Sequence, residues 1–166
     1  MKKINVGIIG FGTIGAGVIK TLKARRGFLA DKSGVDINIT KICDKDLKTK
    51  RLIKVPKKLL TKLIGKVLYD PSIDIVVELM GGVHPAKDIA MEVLRNGKHF
   101  VTANKALLSD SGAEIFELAH KLGLCVGFEA SVGGGIPIIR ALKEGFVANH
   151  IDLIYGIING TSNFIL

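Results

Sequence analysis

Gly7-Ile8-Ile9-Gly10-Phe11-Gly12-Thr13-Ile14-Gly15 decides how this chain folds. It carries the spacing G-x-G-x-x-G between an apolar run and a helical pattern. Gly10 permits a tight turn after the strand, Gly12 lets backbone approach a pyrophosphate, and Gly15 lets the helix pack against the strand. The helix start then offers free N–H groups and the positive end of its dipole to phosphates. Residues 4–9 read as the first strand. The helix begins near Thr13, with Ile14, Val18, Ile19 and Leu22 on its inner stripe.

Outward from that motif, strand-like and helical runs alternate, the signature of a parallel sheet wound with helices. The turn-rich stretch 25–36 reads as a loop, and residues 37–43 as the second strand. Residues 47–66 read as helix and loop broken near Pro56. The nearly continuous apolar run 73–79 suits a strand buried on both faces. A helix opened by Pro85 and ended by Gly97 follows, then a strand at 98–102. Ser111 and Glu114 have capping-box spacing for the next helix. A strand at 124–128, a helix at 136–144 and a strand at 151–158 complete the pattern. The expected fold is therefore α/β, a Rossmann-type doubly wound and mostly parallel sheet. Residues 1–150 form the dinucleotide-binding domain and 151–166 start a second, substrate and dimerisation domain. The apolar ending Asn163-Phe164-Ile165-Leu166 reads as a cut at a domain edge.

Composition excludes several function classes. The net charge is +9, but residues 41–66 hold ten Lys/Arg and two acids, leaving +1 for the rest. One Lys-rich segment without interleaved aromatics is a solvated face rather than a nucleic-acid surface. No uncharged apolar run reaches the ~18 residues of a membrane span. Cys43 and Cys125 lie apart in apolar runs and read as reduced thiols of a cytoplasmic protein. The four histidines show no metal spacing.

The chemistry-bearing residues sit where strands end. Asp44 follows the second strand, where a carboxylate accepts hydrogen bonds from an adenosine ribose and favours NAD. Lys45 beside it suits a 2′-phosphate and favours NADP, so the two residues give opposite signals. In Met80-Gly81-Gly82, at the end of the strand at 73–79, the glycines leave room for the nicotinamide-side ribose or phosphates of a coenzyme. Thr102-Ala103-Asn104-Lys105 brings a lysine to the same edge. Desolvated beside a coenzyme, that amine would serve in proton transfer. Glu129, with the glycines 133–135, makes an oxygen-rich loop suited to a hard cation.

These segments together resemble the homoserine dehydrogenases along the whole chain. The resemblance is carried by residues 7–15, by Glu78-Leu79-Met80-Gly81-Gly82, by Thr102-Ala103-Asn104-Lys105-Ala106-Leu107-Leu108, by residues 128–139 and by residues 156–166. It implies an NAD(P)-dependent interconversion of L-homoserine and L-aspartate 4-semialdehyde, on the way to threonine, methionine and isoleucine. It implies that Lys105 is catalytic, meeting substrate and coenzyme. Gly10, Phe11, Gly12, Thr13, Ile14, Gly15, Asp44, Lys45, Met80 and Gly81 would bind coenzyme. A structural sodium ion would lie on Glu129, Val132, Gly134 and Ile136, largely through carbonyl oxygens. Asp44 departs from the commonest pattern of the family. A second catalytic lysine and the acidic substrate-binding residues would follow Leu166. The full enzyme would be a homodimer, and this chain alone would bind coenzyme but turn over poorly. Two other readings remain: a different amino-acid-type dehydrogenase on this fold, and a non-catalytic dinucleotide-sensing module.

Overall fold

A computed structural model describes residues 1–156. Six strands form one wholly parallel sheet: β1 (Lys2–Ile9), β2 (Val35–Cys43), β3 (Leu60–Thr61), β4 (Ile75–Glu78), β5 (His99–Thr102) and β6 (Val126–Gly127). Their spatial order is β3-β2-β1-β4-β5-β6. The order reverses between β1 and β4, so a crevice opens beyond the carboxyl ends of those two strands. The expected doubly wound α/β fold is present.

Alternation along β1 sends side chains to both faces. Val6 and Ile8 join Phe11, Ala16, Ile19 and Ile42 in a core under α1 (Thr13–Ala24). Ile9 faces the other way, with Val76 and Phe100, into a core closed by α4 (Ala86–Arg95) and α5 (Lys105–Lys121). On that second face Gly7 has no room for more: a Cβ there would stand 2.6 Å from Val67. Val67 belongs to the short helix α3 (Gly65–Leu68).

Several local expectations shift. Residues 25–36 are not a loop but contain α2 (Arg26–Ser33), which ends on Gly34 at φ 73. Its composition is turn-rich, yet the Ser33 hydroxyl donates to the Leu29 carbonyl at 2.6 Å. Arg26 ties the helix to β2 through Asp36 at 2.6 Å. α5 starts at Lys105 rather than Ser111, because the Asn104 side chain accepts the Leu107 N–H at 3.1 Å and caps it. Ser111 lies buried within the helix. Ile136 is extended, and the helix expected over 136–144 starts only at residue 139 and runs into a π-helical turn, Ala141–Gly145. The strand expected at 151–158 is not formed over 151–156; its last two residues, with Asn159 and Thr161, lie outside the described residues.

Candidate functional site

A cavity of about 610 Å³ occupies the crevice between β1 and β4. Gly10, Gly12, Asp44, Lys45, Met80 and Gly81 line it, so six of the expected coenzyme residues meet in one place. Lys62, Ile64, His84 and Pro85 also line it. The sequence offered no signal for these four, because they reach the cavity only through the path of the chain after β3 and β4.

The glycine loop is built for close approach. Gly10 has φ 102, and its N–H donates to the Cys43 carbonyl at 2.9 Å. A Cβ on Gly10 would sit 2.7 Å from the Leu79 carbonyl, so the turn threads between the ends of β2 and β4. A Cβ on Gly15 would collide with the Gly10 carbonyl oxygen. Small residues must therefore face the sheet: α1 buries Gly15, Ala16 and Ile19. Ile14, expected on the inner stripe, is turned out and 60% exposed beside the loop. Gly12, the N-cap, gives α1 no side-chain cap, and no acid lies in the first turn. The first-turn amides of a helix have no intrahelical partner. Here they open onto a space with no heavy atom within 4 Å of a Cβ built on Gly12. This cradle fits a diphosphate, which would satisfy the amides and the dipole together.

Asp44 does more than expected. One carboxylate oxygen accepts the Phe11 N–H of the glycine loop at 2.5 Å; the other accepts the Asp46 N–H at 2.7 Å. Phe11 itself is buried, with the Arg51 guanidinium 5.9 Å from its ring. Arg51 also reaches the Asp46 carbonyl at 3.0 Å. Asp46 is held down to about 2 by the Thr49 side-chain and backbone donors and the Lys48 N–H. The segment after β2 is thus folded over Phe11, while Lys45 stands exposed on the cavity wall.

Lys105 is the first residue of α5 and is exposed. It does not line the cavity, and the described residues do not bury it as expected. The turn before it is nonetheless joined to the cavity wall, since Asn104 Nδ2 donates to the Gly82 carbonyl at 2.5 Å.

Glu129 carries a different load from the one expected of a cation ligand. Its carboxylate accepts the N–H groups of Ile138 at 2.8 Å, Ile139 at 3.0 Å and Arg140 at 2.8 Å, capping the helical turn that follows. Its carbonyl accepts the Val132 N–H at 3.1 Å. Desolvation works against the charged carboxylate, but the three amides prevail and hold it below the usual range. Gly133, Gly134 and Gly135 all have positive φ (70, 55 and 111), and Val132 and Ile136 flank them exposed. Among the described residues no group of three or more His, Cys, Asp or Glu could hold a metal.

No helix among the described residues is long and apolar enough to cross a membrane.

Comparison with known proteins agrees with this geometry. The family model for the homoserine dehydrogenase NAD-binding domain matches residues 10–129, and a second homoserine dehydrogenase model matches residues 137–166. The homoserine dehydrogenase of Bacillus subtilis is 44% identical over the whole chain. The crystal structure of a homoserine dehydrogenase from Thiobacillus denitrificans superposes with a TM-score of 0.89 at 45% identity, over 99% of this chain. That of the S. aureus enzyme at pH 7.5 superposes at 0.75 with 39% identity, over 80% of this chain and 34% of its own. The chain spans 38% of the length of both the B. subtilis relative and the T. denitrificans structure.

Proposed function

Since the chain belongs to the homoserine dehydrogenase family, we propose that it provides the coenzyme site of an enzyme interconverting L-homoserine and L-aspartate 4-semialdehyde. The observation that carries this is the uncapped start of α1 opening onto the cavity at the β1–β4 switch point. A bound nicotinamide would supply the hydride acceptor for the homoserine carbinol carbon, or in its reduced form the hydride donor for the aldehyde.

The chain's own residues bind and orient. The amides of Gly12 and the first turn of α1 hold the diphosphate. Asp44 keeps the glycine loop in place, and its remaining lone pairs face the adenosine ribose. Both of its oxygens already accept amides. Lys45 is exposed on the same wall. That balance favours NADPH over NADH, with both accepted. Met80 and Gly81 flank the nicotinamide half. Lys105 orients the substrate hydroxyl and handles its proton as the carbon–oxygen bond changes order. A sodium ion held by carbonyl oxygens of Glu129, Val132, Gly134 and Ile136 would stiffen the loop after β6. The boundary between coenzyme and substrate domains falls near residue 150. The complete enzyme works in the cytoplasm as a homodimer and binds neither nucleic acid nor membrane.

Calorimetry with NADPH and NADH separately tests the reading. Both bind, NADPH more tightly. Lys45→Ala weakens NADPH roughly tenfold, the value of one charge-assisted hydrogen bond, and leaves NADH nearly unchanged. Failure of both coenzymes to bind would overturn the assignment.

A further inference from the structure

Glu78 ends β4 with no solvent exposure, and no role described above uses it. All its partners donate to it. Oε1 accepts the Met80 N–H at 2.6 Å and the Gly81 N–H at 3.3 Å. Oε2 accepts the Thr102 hydroxyl at 2.7 Å. The buried Thr102 Oγ1 in turn accepts the Asn104 N–H at 2.9 Å. Asn104 returns to the first loop through its bond to the Gly82 carbonyl. The circuit is closed. The loop over residues 80–82 and the turn over 102–105 are joined twice, once through Glu78 and Thr102 and once through Asn104 and Gly82. The Ser131 hydroxyl adds a third segment by donating to the Thr102 carbonyl at 2.9 Å.

Burying a carboxylate is expensive, and an apolar side chain of like volume would hold two strands at least as well. What an apolar residue does not supply is a set of directed acceptors that fixes two loops relative to each other. We propose that Glu78 is a positioning residue. Through Thr102 it locks the coenzyme-facing loop Met80-Gly81-Gly82 to the turn that carries Lys105, so that ordering one orders the other. This rests on reading the cavity as the coenzyme site. Chemistry explains why the residue is Glu and not Gln. With Gln, Oε1 still accepts the two amides, but Nε2 faces Thr102 as a second donor. Thr102 Oγ1 then accepts twice and its own proton loses its acceptor.

Hydrogen exchange of the whole chain with and without NADPH tests the link. In the unaltered protein NADPH slows exchange both at 80–83 and at 103–108. In Thr102→Val only the link between Asn104 and Gly82 remains, so NADPH slows 80–83 as before but slows 103–108 markedly less, and Thr102→Ser restores the full response. A merely structural loss would lower the melting temperature and speed exchange with or without NADPH, without separating the two segments. In Glu78→Gln, NADPH affinity falls roughly tenfold, as expected when the buried Thr102 hydroxyl loses its acceptor, and the slowing of 103–108 shrinks as in Thr102→Val. Undiminished slowing of 103–108 in Thr102→Val overturns the proposal. Should Thr102→Val not fold, unchanged affinity and undiminished slowing of 103–108 in Glu78→Gln overturn it equally. An unaltered chain that ignores NADPH overturns the coenzyme reading itself, and the two failures are thereby distinguished.

Discussion

The Asp44 carboxylate accepts the Phe11 backbone N–H at 2.5 Å, fastening the end of β2 to the glycine loop. A residue expected to read the ribose is therefore also a brace for the glycine loop, which we propose holds the diphosphate.

Asp44→Ala separates those roles. It leaves the Phe11 and Asp46 amides without their acceptor, at a cost of about 1–3 kcal/mol if they stay dry. Calorimetry should show NADH and NADPH weakened together, by roughly tenfold or more. A pure ribose reader would lose NADH and spare NADPH.

The loop glycines answer differently to one added methyl. Gly12 has φ −73, open to any residue, and unfilled space where its Cβ would go. Gly12→Ala should keep the melting temperature, or raise it slightly, while NADPH affinity falls at least about tenfold. In Gly15→Ala the new Cβ meets the Gly10 carbonyl, which is backbone and yields little. That variant should lose about 1–3 kcal/mol of stability as well as the coenzyme.

Five carboxylates, Asp36, Asp46, Asp70, Glu117 and Glu129, are held below their ordinary values and make the fold acid-sensitive. Asp46 titrates at about 2, well below its ordinary 3.8, and Glu129 is held below its ordinary 4.5. A depressed carboxylate contributes stability that is complete above the ordinary value and is lost as pH falls through the folded-state value. Denaturant midpoints should therefore be level near neutrality and fall from just above 4.5 downward. Asp46→Asn should flatten the part of that fall between 3.8 and about 2.

Lys98 provides the control far from the site. It is buried at the opposite ends of the strands, where Nζ donates to the Asp70 carbonyl at 2.6 Å and the Ile73 carbonyl at 3.1 Å. Burial pushes its amine below the ordinary 10.5. Lys98→Met should cost about 1–3 kcal/mol in denaturant unfolding by stranding those carbonyls, with NADPH affinity unchanged.

Much of the fold was legible because it is written in short-range patterns. The apolar alternation of β1 and the spacing of Gly10, Gly12 and Gly15 needed no partner to be recognised. The same holds for the near-continuous apolar run around β4, which has one face buried and the other half-buried. Local signals failed where they competed. Ser111 and Glu114 have the spacing of a cap, but Asn104 has already capped the same helix seven residues earlier.

By itself the sequence determined that this chain makes a wound parallel sheet with a glycine-rich turn after its first strand, since φ-permissive residues and hydrophobic period are local properties. Only the tertiary structure decided what the acids do. Asp44 braces Phe11, Glu129 caps a helical turn, and Glu78 joins the 80–82 loop to Thr102. A carboxylate's partners are whichever donors the fold brings within hydrogen-bond reach. Those donors lie 33, 9 and 24 residues away along the chain.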